Sequence, residues 1–285
     1  MKKHRAKKLL KKNNLLVLFI VLSLLFTSCS KPTSNLDNQN SNSDNIQNEE
    51  DIKYNDDSNI DNNEDNNNDN SNQNETKEDD IEVVETFLDE NNIVTNQDSI
   101  EVVVNKERNL NEDYVPNDLV MITDVPTCLA NPEINQLRKS AAEALTSMFE
   151  AAIEEIQIQL YARSGYRLYN TQVSLYNGYV NNHGKEAADK FSAKPGQSEH
   201  QTGLAMDITS YSVNLQLTED FGDTDEGKWV SENAHRFGFI VRYQKGKEDI
   251  TGYMYEPWHI RYVGEDLAKK VYDSGLTLEE YLFKE

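Results

Sequence analysis

The distribution of hydrophobic and polar residues divides the chain into three stretches: one mainly apolar, one mainly polar, and one in which apolar and polar residues alternate. A nearly continuous apolar stretch over residues 15–26 follows a basic start, and residues 31–80 then contain 16 asparagines but only five sizeable apolar side chains. From residue 81 onward, apolar residues recur at spacings of two, three or four positions, as in strands and helices that bury one face. The pattern therefore predicts one folded domain over residues 81–285.

The spacing of apolar residues in this domain predicts several helices. The longest spans residues 131–155, with Asn131 as the N-cap, Pro132 at the first helical position and an apolar face that recurs every three or four residues. Thr277 and Glu280 have the spacing of a capping box at the start of a C-terminal helix. The remaining predicted helices are residues 81–94, 171–182, 226–238, 264–275 and 277–283.

Short apolar runs and alternating patterns between the helices predict strands. Residues 205–209 read AMDIT, an apolar run interrupted by one carboxylate, and residues 239–243 read FIVRY. Further strands are predicted at residues 99–110, 156–161 and 256–264. Because helices and strands alternate irregularly, the predicted fold class is α+β, a single domain with a small antiparallel sheet and flanking helices.

The first 28 residues have the composition of a secretory signal peptide. Seven Lys/Arg and no acidic residue occur in residues 1–30, and the apolar stretch ends at small residues before Cys29. Ser28 and Cys29 resemble a bacterial lipobox, in which the cysteine is acylated and becomes the mature N-terminus, although Phe26 departs from the usual aliphatic residue. An uncleaved signal anchor and an ordinary secretory signal remain as alternatives. Lipidation would anchor the chain to the outer face of the cell membrane as an extracytoplasmic lipoprotein.

Residues 29–80 have too few apolar side chains to offset the entropy of ordering the backbone, so we predict a disordered tether. Within it, residues 31–80 carry 15 acidic and 3 basic side chains. A flexible coil of this length reaches roughly 40 Å, which would hold the folded domain close to its membrane anchor. The whole chain has a formal net charge of -22, which argues against nucleic-acid binding because phosphate neutralisation needs clustered cations.

Two histidines and one aspartate occur in sequence surroundings that indicate a metal site. His200 lies in the polar turn SEHQTG before the strand that carries Asp207, and His259 lies in YEPWHIRYV with Glu256 three residues before it. Two imidazoles and one carboxylate are a ligand set for catalytic Zn²⁺ that leaves the fourth position open. Glu256 would then be the general base. On spacing alone, structural hydrogen bonding by the same groups is the alternative reading.

Three stretches of the sequence resemble one enzyme family. They are VVVNKERNLNEDYVPNDL, the long segment from SGYRLYN to AMDIT, and EPWHIRYVG, and the resemblance as a whole covers about residues 100–273. The chain is similar to the VanY-type zinc D-alanyl-D-alanine carboxypeptidases and the related LD-carboxypeptidases, which trim the stem peptides of bacterial peptidoglycan. The resemblance implies a zinc site in a groove on the sheet.

Carried onto this sequence, the resemblance implies a role for each matching residue. One zinc ion per chain would be bound by His200, Asp207 and His259, with Glu256 as the catalytic base. Arg167, in the SGYR motif, would donate to the carbonyl oxygen as it becomes negative, because a guanidinium is planar, permanently charged and offers paired donors.

Four further residues match or flank these positions with less specific roles. Gln172 and Ser198 fall on positions that contact substrate in the family, although each could instead start a helix or form a turn. Trp258 and Tyr255 flank the base, where they would either line the substrate pocket or pack beneath the site.

The other histidines and the cysteine of the folded domain are not predicted to take part in the chemistry. His183 and His235 match no ligand position in the family and are expected to be structural or solvent-exposed. Cys128, the only thiol expected in the mature chain, is predicted to be buried and inert. The metal chemistry therefore rests on two of the four histidines after residue 100.

The family resemblance and the predicted signal peptide together predict a membrane-tethered monomeric zinc carboxypeptidase. This enzyme would remove the C-terminal D-alanine from peptidoglycan stem peptides. A non-catalytic peptidoglycan-binding lipoprotein and an endopeptidase that cuts crosslinks are the alternatives. The sequence leaves open whether the substrate is a pentapeptide, giving DD-activity, or a tetrapeptide, giving LD-activity.

Deletion of residues 31–80 tests the tether. Because this segment lacks the apolar surface to pack against a domain, the shortened protein should match the full-length protein in thermal midpoint and in peptidase rate on soluble peptides. Calorimetry and a peptide assay measure both properties. A shortened protein that unfolds or loses activity in solution would show that the segment is part of the folded domain.

Overall fold

A four-stranded antiparallel sheet organises the structure, a computed structural model that describes residues 88–283. The strands are β1 (Leu119–Met121), β2 (Gln136–Arg138), β3 (Tyr161–Ser164), β4 (Ala205–Thr209), β5 (Phe239–Tyr243) and β6 (Glu256–Tyr262). The strand order of the four-stranded sheet is β3-β4-β6-β5, and a separate two-stranded antiparallel sheet pairs β1 with β2. The α+β class with a small antiparallel sheet is therefore confirmed.

Helices of very different length surround the sheet. Their bounds are α1 (Lys139–Ile156), α2 (Tyr169–His183), α3 (Lys185–Phe191), α4 (Asp225–Asn233), α5 (Glu248–Thr251), α6 (Glu265–Ser274) and α7 (Leu278–Phe283). Helix α1 buries an apolar face that includes Leu145 and Met148, both fully buried. Within residues 88–283, no helix is both long enough and apolar enough to cross a lipid bilayer.

The main buried cluster joins the apolar face of α1 to apolar residues of the four-stranded sheet. All five residues of β4 are buried, as expected for a strand with a neighbour on each side. A second, smaller cluster joins Ile240 and Val263 to the apolar faces of α6 and α7. The sheet is therefore covered where β4 and β6 meet, and any polar side chain on these two strands has to find a partner inside the protein.

Several elements lie where the sequence predicts them. Strands β4 and β5 have the predicted bounds, β6 begins at the predicted residue, and α4 continues through a 3₁₀ turn to Gly238, whose φ of +79° ends it. The capping box of α7 is formed, since the backbone NH of Thr277 donates to Glu280 Oε2 over 2.8 Å and that of Glu280 donates to Thr277 Oγ1 over 3.1 Å.

The predicted start of the longest helix is wrong. Asn131 does not cap α1: its side chain accepts from the backbone NH of Glu133 in a local turn, and residues 136–138 form β2 before the helix begins at Lys139. Backbone carbonyls in this segment bind the loop after β3, because Gly165 NH donates to Ile134 O and Tyr166 NH donates to Gln136 O. These tertiary hydrogen bonds favour turns over residues 132–135 and a strand over residues 136–138, against the helical apolar spacing of the segment.

Other differences arise from tertiary contacts or from element ends. Residues 99–110 form isolated bridges and turns, not a strand, and the carbonyls of Ile100 and Val102 accept from the buried Arg261 guanidinium. The stretch predicted as a strand from residue 156 is the end of α1 followed by coil, and β3 begins only at Tyr161. Helix α2 extends beyond its predicted bounds at both ends, and Gln172 is its one fully buried residue.

Some sequence predictions concern residues before the described range. The signal peptide, Cys29, the tether and residues 81–87 of the first predicted helix lie outside the described residues, while residues 88–94 form turns and bridges without a helix.

Candidate metal centre and catalytic cavity

Neighbouring strands bring the predicted metal ligands together. Asp207 of β4 lies directly opposite His259 of β6 in the antiparallel register. His200 comes from the 3₁₀ turn Glu199–Thr202, which leads into β4. Because the turn and both strands are buried, the three side chains meet in a region with little solvent.

The three ligand groups lie close enough to share one ion. Their ligand atoms all fall within 4.8 Å of one another. Asp207 Oδ1 is 3.0 Å from His259 Nδ1, and Asp207 Oδ2 is 3.4 Å from His200 Nε2. The imidazole rings meet edge to face with centroids 5.0 Å apart. Two imidazoles and a carboxylate arranged in this way fit a tetrahedral Zn²⁺ site with one open position.

The second ring nitrogen of each histidine has its own partner. His200 Nδ1 donates to the carbonyl oxygen of Gly165 over 2.8 Å. His259 Nε2 lies 3.2 Å from Glu199 Oε2, which accepts its proton. These bonds orient the rings so that His200 Nε2 and His259 Nδ1 both face Asp207, where the three groups would bind a metal ion.

Glu256 and His259 reach the same cavity because β6 is irregular. Residues three apart in a regular strand point to opposite faces. Here the register between β5 and β6 shifts between Val241 and Tyr243, so that Tyr243 pairs with Glu256. Glu256 Oε2 then lies 4.0 Å from His259 Nδ1. The bulge therefore places the predicted base beside a predicted ligand.

Burial and neighbouring charges perturb the ionisable groups of the centre. Burial raises the pKa of Glu256 to about 8, although His259 and Arg167 oppose the shift. Burial lowers the pKa of His259, but hydrogen bonds to Asp207 and Glu199 outweigh it and raise that pKa to about 9. Burial opposes ionisation of Asp207, yet the two histidines hold its pKa well below the usual range. A bound cation would favour the carboxylate form of Glu256, the form that accepts a proton.

Arg167 is held rigidly at the edge of the centre. Its Nη1 donates to Gln172 Oε1 and its Nη2 donates to Ser164 Oγ, both over 2.9 Å. Gln172 is in turn fixed by donating to the backbone carbonyl of Ala193 over 2.7 Å. The Nε of Arg167 is buried with no partner among the described residues. The structure therefore places Gln172 behind the guanidinium as well as on the cavity wall.

Most of the predicted substrate contacts line one cavity with the metal ligands. Ser198 and Trp258 lie on its wall together with Arg167 and Gln172. Tyr255 does not: it lines a second cavity with Pro257, on the other side of β6. Tyr255 immediately precedes the strand, so it points away from the face that Glu256 presents.

Several residues of the cavity wall were not identified from the sequence, and Glu199 and Tyr253 are two of them. Glu199 is completely buried between Arg242 and Arg261, and its carboxylate holds His259. The sequence did contain a signal for a buried carboxylate: Arg242 and Arg261 lie inside the apolar runs FIVRY and WHIRY. A guanidinium that is buried in this way requires a carboxylate partner. Tyr253 is 3% exposed, lines the cavity, and has a hydroxyl with no partner among the described residues.

The remaining titratable candidates lie apart from the ligand cluster. His183 is exposed at the end of α2. His235 stacks on Tyr272 with ring centroids 3.8 Å apart. Cys128 is half-buried and unpaired, and burial raises the pKa of its thiol. A raised pKa keeps the thiol protonated, in agreement with an unreactive cysteine.

Comparison with known proteins shows the family. The family model described as VanY: D-alanyl-D-alanine carboxypeptidase matches residues 134–265. The putative carboxypeptidase YodJ of Bacillus subtilis is 49% identical over 192 residues, which cover 67% of this chain and 70% of YodJ. The chain belongs to the VanY family. A D-alanyl-D-alanine carboxypeptidase of Enterococcus faecalis is 40% identical over 147 residues, about half the length of each chain at 48% and 52%.

Solved structures of VanY family members share the fold. The LD-carboxypeptidase LdcB superposes with a TM-score of 0.63 at 49% identity, covering 66% of this chain and 88% of LdcB. A mutant of the vancomycin-resistance D,D-pentapeptidase VanY, solved in complex with Zn(II), gives a TM-score of 0.53 at 34% identity, with coverage of 64% and 98%. The metal in that relative agrees with the donor set formed here by His200, Asp207 and His259.

Replacement of either histidine ligand by alanine is expected to abolish zinc binding. His200→Ala and His259→Ala each remove one of three protein ligands, whereas His235→Ala removes an imidazole stacked on Tyr272. Elemental analysis after dialysis should find about one zinc per chain in the parent and in His235→Ala, and little in the two ligand variants. Full occupancy in both ligand variants would refute the assignment.

Proposed function

We propose that the protein is a zinc carboxypeptidase that removes the C-terminal D-alanine from peptidoglycan stem peptides. One observation carries the proposal: a buried His-Asp-His cluster shares a cavity with Glu256, whose carboxylate lies 4.0 Å from the ligand His259. Relatives that are named as carboxypeptidases acting on D-alanyl-D-alanine support the same reaction. We also propose, as the simplest case, that the protein acts as a monomer.

In the proposed reaction, Glu256 transfers the proton during hydrolysis. Zinc, when held by the three ligands, lowers the pKa of a water molecule to about 7 and polarises the scissile carbonyl. The Glu256 carboxylate accepts the proton of the attacking water and can return it to the leaving amine of D-alanine. Burial strengthens this role, because desolvation raises the affinity of the carboxylate for a proton.

Arg167 supplies positive charge for the carbonyl oxygen. Two hydrogen bonds, to Ser164 and Gln172, fix the guanidinium before substrate arrives. A donor that is already oriented stabilises the developing negative charge without reorganisation during the reaction. The buried Nε of Arg167 has no partner among the described residues, so it remains available as a donor.

The cavity wall has groups suited to a small peptide with a free carboxylate. Arg163 lines the cavity in addition to Arg167 and can attract the terminal carboxylate. The Tyr253 hydroxyl has no protein partner among the described residues and can donate to the peptide. Trp258 and Tyr243 add apolar wall for the methyl group of D-alanine.

The non-catalytic alternative accounts for less of the site. A protein that only binds peptidoglycan has no need of a buried carboxylate beside a complete metal-ligand set, and maintaining such a group is costly. An endopeptidase requires a groove that is open on both sides of the scissile bond. Relatives are named as D,D- and as LD-enzymes, so pentapeptides and tetrapeptides are both suitable test substrates.

We further propose that the enzyme is an extracytoplasmic lipoprotein. Support comes from the sequence: a basic start, an apolar stretch and Ser28-Cys29, followed by an acidic, asparagine-rich segment. Acylation of Cys29 would place the catalytic domain within the reach of that segment from the outer face of the membrane.

Hydrolysis of defined peptidoglycan peptides by the zinc-loaded protein tests the function. Mass spectrometry should detect loss of one alanine from a stem pentapeptide, a stem tetrapeptide, or both. Glu256→Gln should retain zinc, since Glu256 is a proton acceptor and not a ligand, and should lose about 10²- to 10⁴-fold in rate. No hydrolysis of either peptide by the zinc-loaded parent would contradict the proposal, and an unchanged rate in Glu256→Gln would assign the base to another group.

Substitution of Arg167 separates transition-state stabilisation from ground-state binding. Arg167→Lys keeps the charge but loses the planar donor pair, and Arg167→Ala loses both, so activity should fall in the order Arg, Lys, Ala. Removal of an oxyanion donor costs about 10²- to 10³-fold in kcat. Steady-state kinetics on one D-alanine-terminated peptide makes the distinction, because a rise in KM at constant kcat would show that Arg167 only binds the substrate carboxylate.

A further inference from the structure

A line of buried charges connects the metal ligand His259 to the C-terminal helix α7. Glu199 Oε2 lies 3.2 Å from His259 Nε2, and Arg242 Nε donates to Glu199 Oε1 over 2.8 Å. The far end of the same guanidinium binds Glu279 of α7 through two hydrogen bonds of 2.7 and 2.5 Å. Glu279 is therefore joined to the ligand by an unbroken series of hydrogen bonds.

Burial makes the charge balance of this line important. The side chains of Arg242 and Glu199 are fully buried, and that of Glu279 is 12% exposed. Buried charges are tolerated only when each has its partners, and loss of one partner leaves an uncompensated charge. Arg261 is the fourth member, donating to Glu199 Oε1 over 2.9 Å. Two guanidinium groups are thus balanced by two carboxylates.

The two arginines are anchored differently. Arg261 also donates to the backbone carbonyls of Ile100 and Val102, so its position is fixed by the main chain. The hydrogen bonds of Arg242 go to the carboxylates of Glu199 and Glu279. If Glu279 loses its charge, Arg242 has one carboxylate left to neutralise it, and Glu199 is attracted more strongly toward Arg242 and away from His259.

We infer that Glu279 is a positioning residue for the metal ligand His259, acting through Arg242 and Glu199. The inference rests on the proposed function only in requiring that the cluster binds a metal ion. A carboxylate that accepts from the outer nitrogen of a ligating histidine fixes the ring and raises its basicity. By orienting that carboxylate, α7 contributes to metal affinity although none of its residues lines the cavity.

Glu279 also has a structural contact, which the test has to separate. It accepts from Asn105 Nδ2 over 3.3 Å, so its replacement loosens the attachment of α7. The neighbouring Glu280 provides a matched control. Its side chain caps α7 by accepting from the NH of Thr277 and pairs with Lys247 at 3.0 Å, but it makes no hydrogen bond to Arg242 or Glu199.

The experiment compares Glu279→Gln with Glu280→Gln in the full chain. Zinc affinity is measured by competition with a chelator, the ligand field by the visible absorption of the cobalt-substituted protein, and stability by the thermal midpoint without metal. Replacement of a residue that bonds a metal ligand directly typically lowers metal affinity 10- to 100-fold. Arg242 and Glu199 lie between Glu279 and His259, so Glu279→Gln should lower zinc affinity about 3- to 10-fold. Glu280→Gln should lower the midpoint but keep the parent's affinity and cobalt spectrum.

Glu279→Asp adds a second variant that keeps the charge. Its affinity should lie between those of the parent and Glu279→Gln, and it serves alone if the glutamine variant does not fold. Parent-like affinity and cobalt spectrum in the folded Glu279 variants would overturn the inference, as would equal affinity losses in Glu279→Gln and Glu280→Gln. A parent protein that binds no zinc would instead contradict the proposed function, so the two failures are distinguishable.

Discussion

Burial of the Asp207 carboxylate in the central strand β4 is the constraint on which the rest of the site depends. Every residue of that strand is buried, so an unpaired carboxylate there would cost several kcal/mol. Its partners are His259, directly opposite on β6, and His200, from the turn that leads into the strand. The pairing that makes the carboxylate tolerable also assembles the three groups that are predicted to bind a divalent cation.

The same reasoning applies to the shell of charges behind the ligands. Glu199 holds His259 and is itself neutralised by Arg242 and Arg261. These arginines reach the segment near residue 100 and helix α7, which lie far from the ligands in sequence. Elements near both ends of the domain are therefore tied to the centre electrostatically, in addition to the apolar contacts of Ile240 and Val263 with α6 and α7.

Sequence patterns predicted the structure correctly where the cause was local, and failed where distant residues bound the same backbone groups. Local signals with a local cause were confirmed, such as the capping box of Thr277 and the end of the helix at Gly238. The patterns failed where distant groups competed for the backbone. The carbonyls of Ile134 and Gln136 bind the loop after β3, and those of Ile100 and Val102 bind Arg261. Such competition is invisible in apolar spacing.

The sequence by itself determined the class of fold and the central strands, and through family resemblance it predicted a set of ligands, a base and an arginine that line one cavity in the structure. These features depend on residue types and local spacing. Only the tertiary structure decided how they act together: the bulge that turns Glu256 toward His259, the placement of Tyr255 outside the cavity, and the burial of Glu199 between two arginines. Strand register and charge pairing join residues that are distant in the chain, so no local pattern contains them.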